Sequence, residues 1–197
     1  GTGCWCAFEP LVLRTGGDHG GGRNTVKDAI LNRVPVLILT ALAMLHASAI
    51  ALAGPIAYVP NEKSGTLTLI DTGSDQVLGH ISAGAKPRGI AASRDGKRLY
   101  VSDQPNNALL VVDLESRKVR LKIELGESPE GVSLSPDGKW VVAASEVSNG
   151  VAFVDTATES KAFSIKTQGK NPEHAVFSPD VRWLYVSAEE ADAVDVI

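Results

Sequence analysis

An internal repeat constrains this chain more than any other feature. Tyr58-Val59 recurs as Tyr100-Val101, as Val142-Ala143 and as Tyr185-Val186. Asp71 recurs as Asp113 and Asp155, and Pro87 as Pro129 and Pro172. Ser93-Arg94-Asp95-Gly96 recurs as Ser135-Pro136-Asp137-Gly138 and as Ser178-Pro179-Asp180-Val181. The spacings are 42, 42 and then 42 or 43 residues. Four unrelated landmarks sharing one period define a repeated supersecondary unit.

Each unit reads as four short strands. In the second unit, Gly89–Ser93 is a short apolar run ended by the turn Asp95-Gly96. Leu99–Ser102 and Ala108–Asp113 follow as the second and third strands. Val119, Leu121, Ile123 and Leu125 then alternate with Arg120, Lys122 and Glu124, the period-two mark of a half-buried strand. Hairpin turns built on Asp-Gly or Asn separate the strands. A four-stranded sheet with two apolar faces needs a neighbour on each side. Radial stacking of such units predicts an all-β chain, a β-propeller with four-stranded blades of about 42 residues. Residues 54–197 hold about three and a half repeats and end within a strand at Ala193–Ile197, so the expectation is an incomplete propeller from a truncated chain.

The N-terminal part differs in kind. Residues 1–25 carry a glycine-rich patch at Gly16, Gly17 and Gly20–Gly22 with no strand pattern before it, so it lacks the setting of a phosphate-binding loop. The segment reads as a disordered leader or as sequence upstream of the true start. Residues 26–53 contain the apolar run Val34–Ala53, preceded by Lys27 and Arg33 and closed by Ala47-Ser48-Ala49 and Ala51-Leu52-Ala53. That order describes a secretory signal peptide. The alternative is a membrane anchor, since about 20 residues just span a bilayer. Either reading predicts a periplasmic, secreted or outward-facing protein.

Composition narrows the function classes. A formal net charge of −4 gives no general attraction for nucleic acid. Membrane contact is expected only through residues 34–53, if they are uncleaved. The two cysteines, Cys4 and Cys6, have neither redox nor metal-site spacing, and no residue after them can form a disulfide.

The residues Leu99-Tyr100-Val101-Ser102, Leu110-Val111-Val112-Asp113 and Pro129–Lys139 resemble the YVTN-type β-propeller repeat. The likeness runs from Ile56 to Ile197. Pro129–Asp155, with Ser145-Glu146 and Ser148-Asn149, is more particularly similar to a periplasmic group that accompanies pyrroloquinoline-quinone (PQQ)-dependent alcohol oxidation in bacteria. The resemblance implies an accessory binding or scaffolding role and carries over no catalytic motif. Three departures stand out: Val142-Ala143 replaces Tyr-Val, His174 stands where the other repeats have Gly89 and Gly131, and Val181 replaces the turn glycine. The last brings the tight turn of that blade into question.

Most repeated residues have structural duties. Gly96 and Gly138 supply a positive φ, Pro87, Pro129 and Pro172 fix the entry to the innermost strand, and Asp71, Asp113 and Asp155 accept turn N–H groups. Recognition is expected on the loops that enter the innermost strand and that join the second and third strands, which share one face of a propeller. The candidates there are Arg88, Glu130, Glu173, His174, Glu146, Asp103 and Asn149. Arg88 and Glu130 occupy one equivalent position with opposite charges, and either bind a polar ligand near the axis or pair with each other. No catalytic residue, metal or cofactor is assigned. The expected partners are a periplasmic dehydrogenase, a cytochrome or a small ligand. The alternative is an enzyme on the same scaffold, a lactonase-like hydrolase or a fragment of a haem-d-type reductase with His174 as the axial ligand.

Overall fold

The computed structural model describes residues 54–197. The leader and the signal or anchor segment expected over residues 1–53 lie outside the described residues. Fourteen strands form four antiparallel sheets. The first holds β1 (Ile56–Asn61), β2 (Thr66–Asp71) and β3 (Gln76–Ser82). The second holds β4 (Pro87–Ala92), β5 (Arg98–Asp103), β6 (Ala108–Asp113) and β7 (Lys118–Glu124). The third holds β8 (Pro129–Leu134), β9 (Trp140–Ser145), β10 (Gly150–Asp155) and β11 (Ser160–Lys166). The fourth holds β12 (Pro172–Phe177), β13 (Leu184–Ala188) and β14 (Ala193–Val196). Strands within each sheet are neighbours in sequence, and each sheet is one blade of the expected repeat. The first blade begins at the equivalent of the second strand, and the fourth reaches the third.

Register repeats as faithfully as sequence. Leu109 pairs with Ile123 and Val111 with Leu121 in blade 2, as Val151 pairs with Ile165 and Phe153 with Phe163 in blade 3. A bulge follows Leu69, Val111 and Phe153 at the same place in three blades. The extra residue bends the outermost strand and increases its twist.

Apolar side chains from facing blades fill the spaces between them. Leu67, Leu69, Leu99, Val101 and Leu110 lie between blades 1 and 2. Tyr100, Leu109, Val111, Val141 and Val154 lie between blades 2 and 3. Between blades 3 and 4 the filling is partly aromatic. Phe153 stacks on Phe163 at 4.6 Å, and Trp140 and Phe177 meet Phe153 edge-on, each at 6.3 Å. Such pairs add about 0.5–1.5 kcal/mol beyond their area. A surface ion pair not anticipated from sequence also ties blades 2 and 3. Glu159, in the β10–β11 turn, accepts from Arg98 at 2.9 Å and from Arg120.

The turns carry the polar repeat. Ser93 Oγ donates to Asp95 at 2.6 Å while accepting the Arg98 N–H at 3.0 Å. Ser135 with Asp137 and Ser178 with Asp180 repeat the arrangement at 2.6 Å each. The Val181 turn closes like the others, its N–H reaching Ser178 O at 3.0 Å, as Gly96 reaches Ser93 O at 3.0 Å. It does so with φ at +60°, a costly conformation for a β-branched residue. Thus the turn survives the loss of its glycine by bearing strain.

Innermost strands approach closely around the axis. A Cβ on Gly89 would fall 2.3 Å from Glu130 O, and one on Gly131 2.7 Å from Glu173 O. Glycine is required at both places because neighbouring backbone occupies the side-chain position. His174 stands exposed at the equivalent place of β12.

Candidate functional site

The loop entering each innermost strand and the loop between second and third strands meet on one face, as expected. In blade 2 the Asp103 carboxylate accepts the N–H groups of Ala85 and Lys86, both at 3.0 Å, and Lys86 O accepts from Gln104 N at 3.3 Å.

Arg88, Glu130, Glu173 and His174 line one concavity of about 220 Å³ near the axis, together with Glu62. They converge because β4, β8 and β12 run side by side and each places its second residue at the same height. Arg88 Nη1 donates to Glu130 Oε2 at 2.6 Å, and its Nε to Glu62 Oε1 at 3.2 Å. The two residues of opposite charge therefore pair directly. This is not a surface pair, since Glu130 is only 3% exposed. Burial pushes the Glu130 carboxyl above its ordinary range, while Arg88 and a hydrogen bond from Gln104 pull it back. The carboxylates of Glu146 and Glu173 add to the upward push.

Gln104, which was not among the sequence candidates, links these groups. Its amide donates to Glu130 and, at 3.0 Å, to Ser128 Oγ, while its Oε1 accepts from Lys86 Nζ at 2.6 Å. Ser128 Oγ in turn donates to Glu146 Oε2 at 2.9 Å. Glu62, Gln104, Glu146 and Glu189 hold the same position in four successive blades, a ring visible in the repeat once it is aligned.

The carboxylates of Glu146, Glu173 and Glu189 offer oxygens within 4.8 Å of one another. Three hard oxygen donors suit calcium better than zinc. These are the residues best placed to hold a metal among those described. Glu146 and Glu173 crowd like charge around the buried Glu130, and Arg88 opposes it as the counter-ion.

Asp103 and Asn149 make their contacts within the loops. Asp103 is 2% exposed and spends its oxygens on Ala85, Lys86 and Asn106. Asn149 has φ at +47°, and its amide oxygen accepts the Asn171 N–H at 3.0 Å. The structure brings Arg88, Glu130, Glu173 and His174 together, sets Glu146 beside them, and builds Asp103 and Asn149 into the loop frame.

Residues 41–135, just under half of the chain, match the YNCE-like beta-propeller family model. Hydrazine synthase of Kuenenia stuttgartiensis superposes with a TM-score of 0.69 at 27% identity, over 74% of this chain and 43% of that one. The WD40 beta propeller domain of Doa1 superposes with a TM-score of 0.63 at 14% identity, over 75% of this chain and 48% of that one. The fold is a β-propeller. This chain spans less than half the length of either solved relative. No curated protein matches it in sequence. In a propeller the innermost strands line a central channel, so the Arg88–Glu130 concavity is the axial mouth of one loop face.

Proposed function

We propose that this protein is an exported β-propeller binding or scaffolding module, accessory to a periplasmic PQQ-dependent alcohol oxidation system, and that its axial loop face is the recognition surface. The observation that carries the reading is the charged mouth itself. A buried carboxylate, Glu130, is held by Arg88 and Gln104, with Glu62, Glu146, Glu173 and Glu189 around it. Fixed negative charge at a concave mouth steers positively charged partners and sets their orientation. A basic cytochrome fits that chemistry better than an acidic protein. The resemblance of Pro129–Asp155 to the PQQ-associated group supplies the biological setting, and the apolar segment before residue 54 supplies export. Affinity capture from periplasm on the immobilised chain tests this. Recovery of a basic redox protein, weakened by salt and by Glu146→Gln with Glu173→Gln, is the expected result. Unaltered capture in that double variant overturns the assignment of the face.

A second reading, a lactonase-like hydrolase, draws on the convergence of Glu146, Glu173 and Glu189. A divalent cation there would polarise an ester carbonyl. Lactone hydrolysis that requires calcium, is lost with chelator and is lost in Glu173→Gln would establish it. The haem reading through His174 requires a Soret band on reconstitution that disappears in His174→Ala.

A further inference from the structure

Blades 2 and 3 differ at one interior point. In blade 2 the space beside Gly84 is filled: a Cβ on that glycine would strike the Asp103 carboxylate at 2.3 Å and Leu110 at 2.9 Å. In blade 4 the carboxylate of Asp195, at the Leu110 position, accepts the N–H groups of Gln168 and Gly169 at 2.7 and 3.0 Å, while Ala188 lies 2.3 Å from where a Gly169 Cβ would stand. The blade 3 equivalents keep the glycine as Gly126 but replace Asp103 with Ser145 and Leu110 with Ala152, both smaller. A cavity of about 270 Å³ results, bounded also by Ser148, Ser164, Lys161 and Lys166.

The loop-anchoring work of Asp103 has moved to other residues in blade 3. Ser148 Oγ accepts the Glu127 N–H, and Asn107 Oδ1 accepts the Ser128 N–H at 3.1 Å. Ser145 is thereby released. It is 2% exposed, and its Oγ has no hydrogen-bond partner among the described residues. Its hydroxyl and that of Ser148 both face the Gly126 side of the cavity, lying 3.0 and 2.7 Å from where a Gly126 Cβ would stand. A buried hydroxyl without a partner costs about 1–3 kcal/mol, and is retained where something else satisfies it. At the rim, Lys166 Nζ donates to Ser148 O at 2.6 Å, and Lys161 lines the same opening.

The geometry points to a binding site for a small carboxylate with a short apolar body, seated on blade 3 beside the linker residue Gly126 and apart from the axial face. The ammonium groups of Lys161 and Lys166 hold the carboxylate. The walls at Gly126, Val151 and Ala152 receive the apolar part. Ser145 Oγ, with Ser148 and Ser164 beside it, bonds a ligand oxygen inside.

The test is titration of the isotope-labelled full chain with sodium butanoate, followed at backbone amides. The expected result is saturable shifts at Gly126, Ser145 and Ala152, with Gly84, Asp103 and Leu110 of blade 2 unmoved. Ala152→Leu restores the blade 2 filling and abolishes binding. Ser145→Ala weakens it about two- to tenfold, the range of one hydrogen bond. Lys161→Gln, at an exposed position, leaves the fold intact and also weakens binding. Shifts that never saturate, that move both blades alike or that persist in Ala152→Leu overturn the site. Equal response to butan-1-ol, or no response to Lys161→Gln, overturns the anionic ligand class.

Discussion

Blades 2 and 3 share one frame, with the same strand lengths, pairing register and bulge, yet they use the same positions oppositely. Arg88 of blade 2 and Glu130 of blade 3 are equivalents, and one is the counter-ion of the other. Asp103 anchors its own loop, whereas Ser145 anchors nothing. Leu110 fills an interior space that Ala152 leaves open. Repetition therefore secures the backbone, and the unequal side chains are free to make a charged mouth at the axis and a cavity on blade 3.

The largest test of this contrast is Arg88→Met. Removing the cation leaves Glu130 buried without its main counter-ion, and about 3 kcal/mol of stability should be lost at neutral pH. Urea unfolding measures this, and Glu130→Gln added to Arg88→Met should recover most of it. The sign of the pH dependence follows from Glu130 having a raised pKa in the fold. Ionised Glu130 opposes folding above the ordinary glutamate pKa, and its protonation on acidification relieves that opposition. The Arg88→Met deficit should therefore shrink toward acid pH. A deficit that is constant with pH would mean lost packing rather than an unpaired charge.

Next in size is the loop contrast. Asp103→Ala should cost about 2 kcal/mol, because two half-buried N–H groups lose a charged acceptor. Ser145→Ala should not destabilise, because its buried hydroxyl has no protein partner to lose. Equal costs would show that the two loops are anchored alike and would break the comparison.

Smaller still is the strained turn of blade 4. Val181→Gly should stabilise by about 1 kcal/mol by removing a β-branched side chain from the left-handed region, and Gly138→Val in blade 3 should cost about as much. Thermal melting of the two variants reads both signs.

The smallest effect is that of the turn aspartates. Backbone and side-chain N–H and O–H donors lower the pKa of Asp71, Asp95, Asp113, Asp137, Asp155 and Asp180. Depressed carboxylates stabilise the fold above the ordinary aspartate pKa, and that contribution is lost as pH falls through the lowered values. Stability should decline below about pH 4. Asp113→Asn and Asp155→Asn should each flatten the decline slightly, and an unchanged acid limb would remove these turns from its cause.

Much of the fold was legible because strand period, turn chemistry and repeat length are local properties. The positions of Tyr100, Asp113, Pro129 and Asp137 within their blade followed from spacing alone. The axial grouping of Arg88, Glu130, Glu173 and His174 was also legible, since equivalent positions in successive blades must neighbour each other. Gln104 was harder to see. Nothing in its local sequence marks it as the residue that joins Lys86, Ser128 and Glu130. The loop contacts of Asp103 and Asn149 were not legible either, because polar loop residues serve structure and binding with the same chemistry.

By itself the sequence determined an all-β repeat of four-stranded units, because hydrophobic alternation and turn residues act over a few positions. It also determined which residues are equivalent between blades, since a period needs no coordinates. Only the tertiary structure decided that Glu130 is buried and Arg88 its partner, that Val181 bears a left-handed turn, and that Ser145 faces an unfilled space. Each depends on how closely separate blades approach, and that distance is set by side chains some forty residues apart in the chain.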